Sequence, residues 1–147
     1  MVNDEQRITK IIQSYREVNH AMYHVLLKIA QQHGITPLQL LVLNILQGNP
    51  QIGLTELAEK LKTGTSTASG VIDRMERAGL VTRTRCGADR RALNLALTEK
   101  GSQQWAEIHA TRLEMFQPLL ELSEEDQAEF IRIQQQILHI LRKIRED

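Results

Sequence analysis

The sequence predicts a mostly α-helical fold, with long helices at both ends and, between them, two short helices followed by a two-stranded β-hairpin. Three observations carry this. Apolar residues recur every three or four positions near both termini, the spacing of one helix face. Two shorter stretches of the same period flank a glycine-containing turn at Lys62-Thr63-Gly64. After Gly79 the period drops to two, as in strands whose alternate side chains face opposite ways.

The first helix is carried by Ile8, Ile11, Ile12, Tyr15, Val18, Met22, Val25, Leu26 and Ile29, with Gly34 as its stop. The second opens on Thr36, Pro37 and Gln39. Here the cap hydroxyl can accept the N–H three residues on, the glutamine can reach back, and proline stands where its missing N–H costs nothing. Ile35 and Leu40 fit the apolar pair that flanks such a cap. Leu38, Leu41, Val42, Ile45 and Leu46 spread over more than one face, which marks a central helix, and Gly48-Asn49-Pro50 ends it. A third, short helix is expected from Leu54 to about Leu61, with Thr55 as cap and Leu57, Ala58 and Leu61 inward. A fourth runs from about Thr65 to Ala78 with Val71, Ile72 and Met75 inward, stopped by Gly79. Two short helices about a tight turn make a helix-turn-helix pattern.

Leu80–Arg85 and Leu93–Leu97 alternate as strands, joined by the basic, polar tip Cys86-Gly87-Ala88-Asp89-Arg90-Arg91. Thr98 caps a fifth helix bearing Trp105, Ile108, Phe116 and Leu119, disturbed at Pro118. Ser123 with Asp126 resembles a further capping box. It opens a last helix with Phe130, Ile133, Ile137, Ile140, Leu141 and Ile144 on one face.

Length and charge narrow the function. At 147 residues the chain has room for one domain. Eighteen Lys and Arg balance eighteen Asp and Glu, which as a single number argues against a nucleic-acid binder. The sum hides a segregation: residues 1–59 carry net −1, residues 60–100 net +5 and residues 101–147 net −4. The polar, acidic start and the lack of any apolar run near the roughly 18 residues of a membrane span predict a cytoplasmic protein with no membrane partner. A single cysteine, Cys86, excludes an intramolecular disulfide framework. No phosphate loop, HExxH or GxSxG nominates an enzyme or a cofactor.

In order and spacing, Leu54-Thr55-Glu56-Leu57-Ala58, Ser66-Thr67-Ala68-Ser69, Asp73-Arg74-Met75-Glu76, Gly79-Leu80-Val81, Asp89-Arg90-Arg91 and Leu97-Thr98-Glu99-Lys100-Gly101 resemble the winged helix-turn-helix of the MarR family of bacterial transcriptional regulators. The long first helix, the Thr-Pro-x-Gln second helix and the two terminal helices suit the family across nearly the whole chain. The resemblance implies a single domain, residues 1–147. Its winged helix-turn-helix DNA-binding region is 35–101, and its helical dimerisation region is 1–34 and 102–147.

It further implies that the fourth helix is the recognition helix, with Thr65, Ser66, Thr67, Ser69 and Arg74 as DNA contacts. Hydroxyls in a first turn can reach phosphates or base edges when the N-terminus enters the major groove, although at least one of them is expected to cap the helix instead. The hairpin is the wing, with Arg83, Arg85, Asp89, Arg90 and Arg91 assigned to DNA. In the family pattern the aspartate of Asp-x-Arg holds the arginine, which by position means Asp89 acting on Arg91 at a narrow minor groove. Most relatives place a longer polar side chain, often arginine, where this sequence has Gly70. All five aromatic residues (Tyr15, Tyr23, Trp105, Phe116, Phe130) fall outside residues 54–101, which favours double-stranded DNA over RNA or single strands that need stacking platforms.

The expected protein is therefore a homodimeric DNA-binding regulator, most simply a repressor on a pseudo-palindromic operator. The family resemblance adds a small-molecule effector bound between the dimerisation helices and the winged region. The competing reading is a winged-helix protein–protein interaction module without operator binding, which Gly70 and the neutral total charge would suit. Two sensor ideas remain. His20 and His24, at i and i+4, with His109 as a third, could ligate a metal, or they could be surface or hydrogen-bonded histidines. Cys86 lies among Arg85, Arg90 and Arg91, where a thiolate would be favoured and oxidation could perturb the wing. The family's redox sensors, however, place a cysteine in the first helix, which this sequence lacks.

Overall fold

The computed structural model describes residues 1, 3–85 and 93–146. They form α1 (Asp4–Gln32), α2 (Pro37–Gly48), β1 (Ile52–Gly53), α3 (Leu54–Leu61), α4 (Thr65–Arg77), β2 (Val81–Arg85), β3 (Leu93–Leu97), α5 (Glu99–Phe116), a 3₁₀ turn (Gln117–Glu121) and α6 (Glu124–Glu146). The chain divides into two units, residues 1–112 and 113–147.

α1 begins four residues before its apolar stripe. Asn3 Oδ1 accepts the Gln6 N–H at 2.8 Å and Gln6 Oε1 accepts the Asn3 N–H at 3.3 Å, a polar capping box to which apolar periodicity is blind. At α2 the expected box is present, with Thr36 and Gln39 exchanging both hydrogen bonds at 3.1 Å. At α3 the expected cap is displaced: Gly53, not Thr55, is the N-cap, and Thr55 lies inside the helix. Gly53 is already held extended by pairing with Asn94 across β1 and β3, so the helix starts as soon as the strand ends.

That strand is itself an addition to the expected hairpin. The sheet has three antiparallel strands in the order β1-β3-β2, with Ile52 opposite Leu95 and the β2–β3 register running from Val81–Leu97 to Arg85–Leu93. Two residues, Ile-Gly, are too few to show a period of two.

In residues 1–112 the core gathers one face of each element. Ile29 and Ala30 come from the end of α1, Leu40, Val42, Leu43 and Leu46 from α2, Leu57 and Ala58 from α3, and Ala68, Val71, Ile72 and Met75 from α4. Ile52, Val81 and Leu95 add the inner face of the sheet, and Ile108 adds α5. Deleting such a side chain costs about 2–5 kcal/mol when large aliphatics are cut to alanine. The rest of α1 is different: Ile8, Ile11, Tyr15, Val18 and Met22 are exposed.

The end of α4 is tied to the start of α5. Gly79, at φ +78°, turns the chain so that the Leu80 N–H reaches back to the Met75 carbonyl at 2.9 Å. The Thr98 hydroxyl donates to the Gly79 carbonyl at 2.6 Å and accepts the Gly101 N–H at 3.0 Å, and the Thr98 N–H donates to Leu80 O at 3.0 Å. Lys100 Nζ donates to the Ala78 carbonyl at 2.8 Å, a cation at the negative end of the α4 dipole. Gly101 is packed so closely here that a Cβ would overlap the Leu80 carbonyl oxygen.

In residues 113–147, Pro118 stands in the first turn of the 3₁₀ segment, and the Ser123 hydroxyl accepts the Asp126 N–H at 3.0 Å to open α6. α6 buries no residue and exposes Phe130, Ile131, Ile133, Ile140, Leu141 and Ile144. On its surface, the hydrogen bond from Arg132 holds the Glu129 carboxyl below its ordinary range. Among the described residues no helix is long and apolar enough to cross a membrane.

The tight α4–α5 junction makes Gly101→Ala a steric test of the fold. It should destabilise the protein by about 1–3 kcal/mol, read as a lower melting temperature. An unchanged melting temperature would mean that the backbone of Leu80 moves aside freely.

Candidate nucleic-acid interface

α4 presents a polar face because its apolar residues are all taken inward. With Ala68, Val71, Ile72 and Met75 buried, Thr65, Ser66, Thr67, Arg74 and Arg77 are exposed, and Ser69, Gly70 and Asp73 are half-buried. The N-cap is Gly64 and makes no side-chain cap hydrogen bond. The sequence reading that at least one early hydroxyl serves as a cap is thus corrected. Gly64 is already extended at φ −73° and ψ 157°, which leaves Thr65 and Ser66 inside the first turn. The hydroxyls of Thr65, Ser66, Thr67 and Ser69 make no side-chain hydrogen bond among the described residues, and the N–H groups of the first turn have no partner within the helix.

Gly70 is at the middle of this face. A helix-interior glycine costs about 1 kcal/mol relative to alanine, and an ideal Cβ at Gly70 meets nothing within 4 Å.

A charged brace holds α4 against the sheet. Arg83 Nη2 donates to Asp73 Oδ1 at 2.7 Å, with the arginine side chain 26% exposed and the aspartate 44%. Arg83, assigned to DNA from sequence, is therefore paired within the chain, where it links β2 to α4. Asp73 was missed as a brace because the pair links a helix to a strand ten residues on, a relation that appears only once the turn at Gly79 is formed. Thr98, Lys100 and Gly101 were legible as a motif, but their contacts with the end of α4 were not.

Arg85 ends β2 opposite Leu93. Cys86, Asp89, Arg90 and Arg91 lie outside the described residues. In sequence, residues 60–100 hold nine Lys and Arg against four Asp and Glu.

The three candidate metal ligands separate. His20 and His24 are hydrogen-bonded through Nε2 at 3.1 Å on the exposed face of α1, whereas His109 stacks on Trp105 with ring centroids 4.9 Å apart. Among the described residues no three His, Cys, Asp or Glu side chains form a metal-binding group. Another histidine that sequence did not single out, His33, bonds through Nε2 to Thr111 Oγ1 at 2.9 Å and ties the end of α1 to α5.

Residues 33–92 match the family model described as MarR family. Over 112 residues the chain is 30% identical to the HTH-type transcriptional repressor MdtR of Bacillus subtilis, covering 76% of this chain and 72% of the relative. The chain belongs to the MarR family. It is a DNA-binding transcriptional regulator of this family, α3 and α4 form its helix-turn-helix, the β2–β3 hairpin is its wing, and its relatives are regulators, not enzymes. A MarR family protein from Bacillus stearothermophilus has the same fold, with TM-score 0.84 and 26% identity over 95% of this chain and 99% of that one. The S. aureus MepR F27L mutant, solved bound to an oligodeoxyribonucleotide, superposes with TM-score 0.62 at 25% identity, covering 89% and 97% of the two chains.

If Asp73 acts by positioning, removing its negative charge should weaken duplex binding even though charge alone would strengthen it. Asp73→Ala is expected to lose about fivefold in affinity, equivalent to roughly 1 kcal/mol for a half-exposed pair. Asp73→Ala/Arg83→Ala should bind no worse than Arg83→Ala in a fluorescence-anisotropy titration. A gain in affinity for Asp73→Ala would rule the brace out.

Proposed function

We propose that the chain acts in the cytoplasm as a homodimeric repressor that binds a pseudo-palindromic operator and releases it when a small molecule binds. The observation that carries this reading is the outward polar face of α4, with hydroxyls and first-turn N–H groups unspent and Arg74 and Arg77 beyond them. The short groups suit base edges and phosphates at the major groove, and the guanidinium groups suit phosphates. Arg85, Asp89, Arg90 and Arg91 of the wing extend the contact to the neighbouring minor groove in this reading, with Asp89 steadying Arg91. The oligodeoxyribonucleotide complex of MepR supports DNA as the ligand.

Dimerisation is supported within each unit separately. α1 exposes Ile8, Ile11, Ile12, Tyr15, Val18 and Met22, and α6 buries no residue while exposing seven large hydrophobics, Phe130, Ile131, Ile133, Leu138, Ile140, Leu141 and Ile144. Apolar faces of this extent mark an interaction surface, and two recognition helices on one duplex must stand about 34–36 Å apart. Residues 1–34 and 102–147 are assigned to the dimer in this scheme, and 35–101 to DNA.

Effector release draws support from α5. Among the described residues, Gln104 Oε1, Trp105 Nε1, His109 Nδ1 and Arg112 Nε are buried without a hydrogen-bond partner, the last three at i, i+4 and i+7. Unpartnered buried polar atoms are costly, and the Trp and Arg nitrogens are donors. They suit an effector rich in acceptors, such as a carboxylate.

Gly70 favours a second reading, a winged-helix module that contacts protein, because the centre of the α4 face carries no reading side chain. Salt separates the two. A dimer that engages six or more phosphates should lose about 10³-fold in duplex affinity between 50 and 200 mM salt. A shallow dependence, or no duplex binding at low salt, would favour the protein partner.

A further inference from the structure

Gly70 is the sixth residue of α4, in a helix interior where alanine is the better residue. The fold does not ask for the glycine. Its φ lies outside the left-handed region, and an added Cβ would enter open space. Gly101 shows the contrast within one chain, since its Cβ would overlap the Leu80 carbonyl. Within the chain the glycine therefore only costs helix stability, about 1 kcal/mol relative to alanine.

The position is specific. Ser66 lies one turn before Gly70, Thr67 three residues before it, and Arg74 one turn after it, so the four share the outward face of α4. Serine and threonine hydroxyls are short. They reach base edges only when the helix backbone comes close to the floor of the groove, and a side chain at position 70 would stand between the two. Arg74, with its long stem, still reaches phosphates from a deeply seated helix.

We propose that Gly70 is a specificity-determining position: its missing side chain lets α4 seat deeply in the major groove, so that Ser66 and Thr67 read base edges directly. This rests on the reading that α4 enters DNA. It turns the feature that most suits a protein partner into a part of sequence readout.

The test compares the full-length wild type with Gly70→Ala by thermal melting and by affinity for two duplexes, one selected by the wild type from a random pool and one of scrambled sequence. Gly70→Ala should melt about 2–4 °C higher, from the gain in helix propensity. It should bind the selected duplex about tenfold more weakly and the scrambled duplex within about twofold of the wild type. A purely structural glycine would not change the ratio of the two affinities. The inference is overturned by undiminished affinity for the selected duplex, by equal losses on both, or by a lower melting temperature, which would show that the fold needs the glycine after all. A wild type that enriches no duplex is a different result, and it overturns the DNA reading together with the inference.

Discussion

The Leu80 carbonyl lying against Gly101 is the contact on which the placement of α4, β2 and α5 depends. It brings the backbone of α5 within a distance that only glycine allows, and around it the Thr98 hydroxyl, the Thr98 N–H and the Lys100 ammonium close the carbonyls of Ala78, Gly79 and Leu80. These carbonyls sit where α4 ends and β2 begins, and helix ends leave such groups without partners unless something supplies them. One junction therefore satisfies the end of α4, starts the wing and launches α5. The same hydrogen bonds join the start of α5 directly to the end of α4 and the start of β2.

Two further braces make the face of α4 stiff. Its buried row, Ala68, Val71, Ile72 and Met75, sets rotation about the helix axis, and the Asp73–Arg83 pair sets the angle to the sheet. If α4 faces DNA as proposed, an acidic residue on it opposes phosphate binding, and the pair with Arg83 supplies the geometric reason for its presence. The neutral total charge fits the same economy. With net +5 in residues 60–100 and net −4 in residues 101–147, weak attraction of the whole particle is combined with positive charge concentrated in one segment of the chain.

What could be read from the sequence was whatever is local. The Thr36–Gln39 box, the turn at Lys62-Thr63-Gly64, the Gly79 stop and the β2–β3 alternation involve residues a few positions apart, and each is present. The misreadings share a cause. β1 is too short to have a period, and Thr55 loses the cap because Gly53 is already extended by pairing with a strand more than forty residues later. The Asp73–Arg83 brace and the His33–Thr111 bond also depend on chain reversals. Conversely, the i, i+4 spacing of His20 and His24 was correctly read as proximity, yet proximity joined them to each other and not to His109. Within the candidate site, residue types were legible but their division into contact and support was not, because Arg83 and Arg74 look alike until their neighbours are placed.

The central claim is that two copies of α4 read one duplex symmetrically, and the most direct measurement is selection of bound duplexes from a random DNA pool by the purified full chain. The expected result is an inverted repeat whose half-site centres are about 10–10.5 base pairs apart, one helical turn. Enrichment of a single asymmetric site, or of no sequence at all, would contradict it.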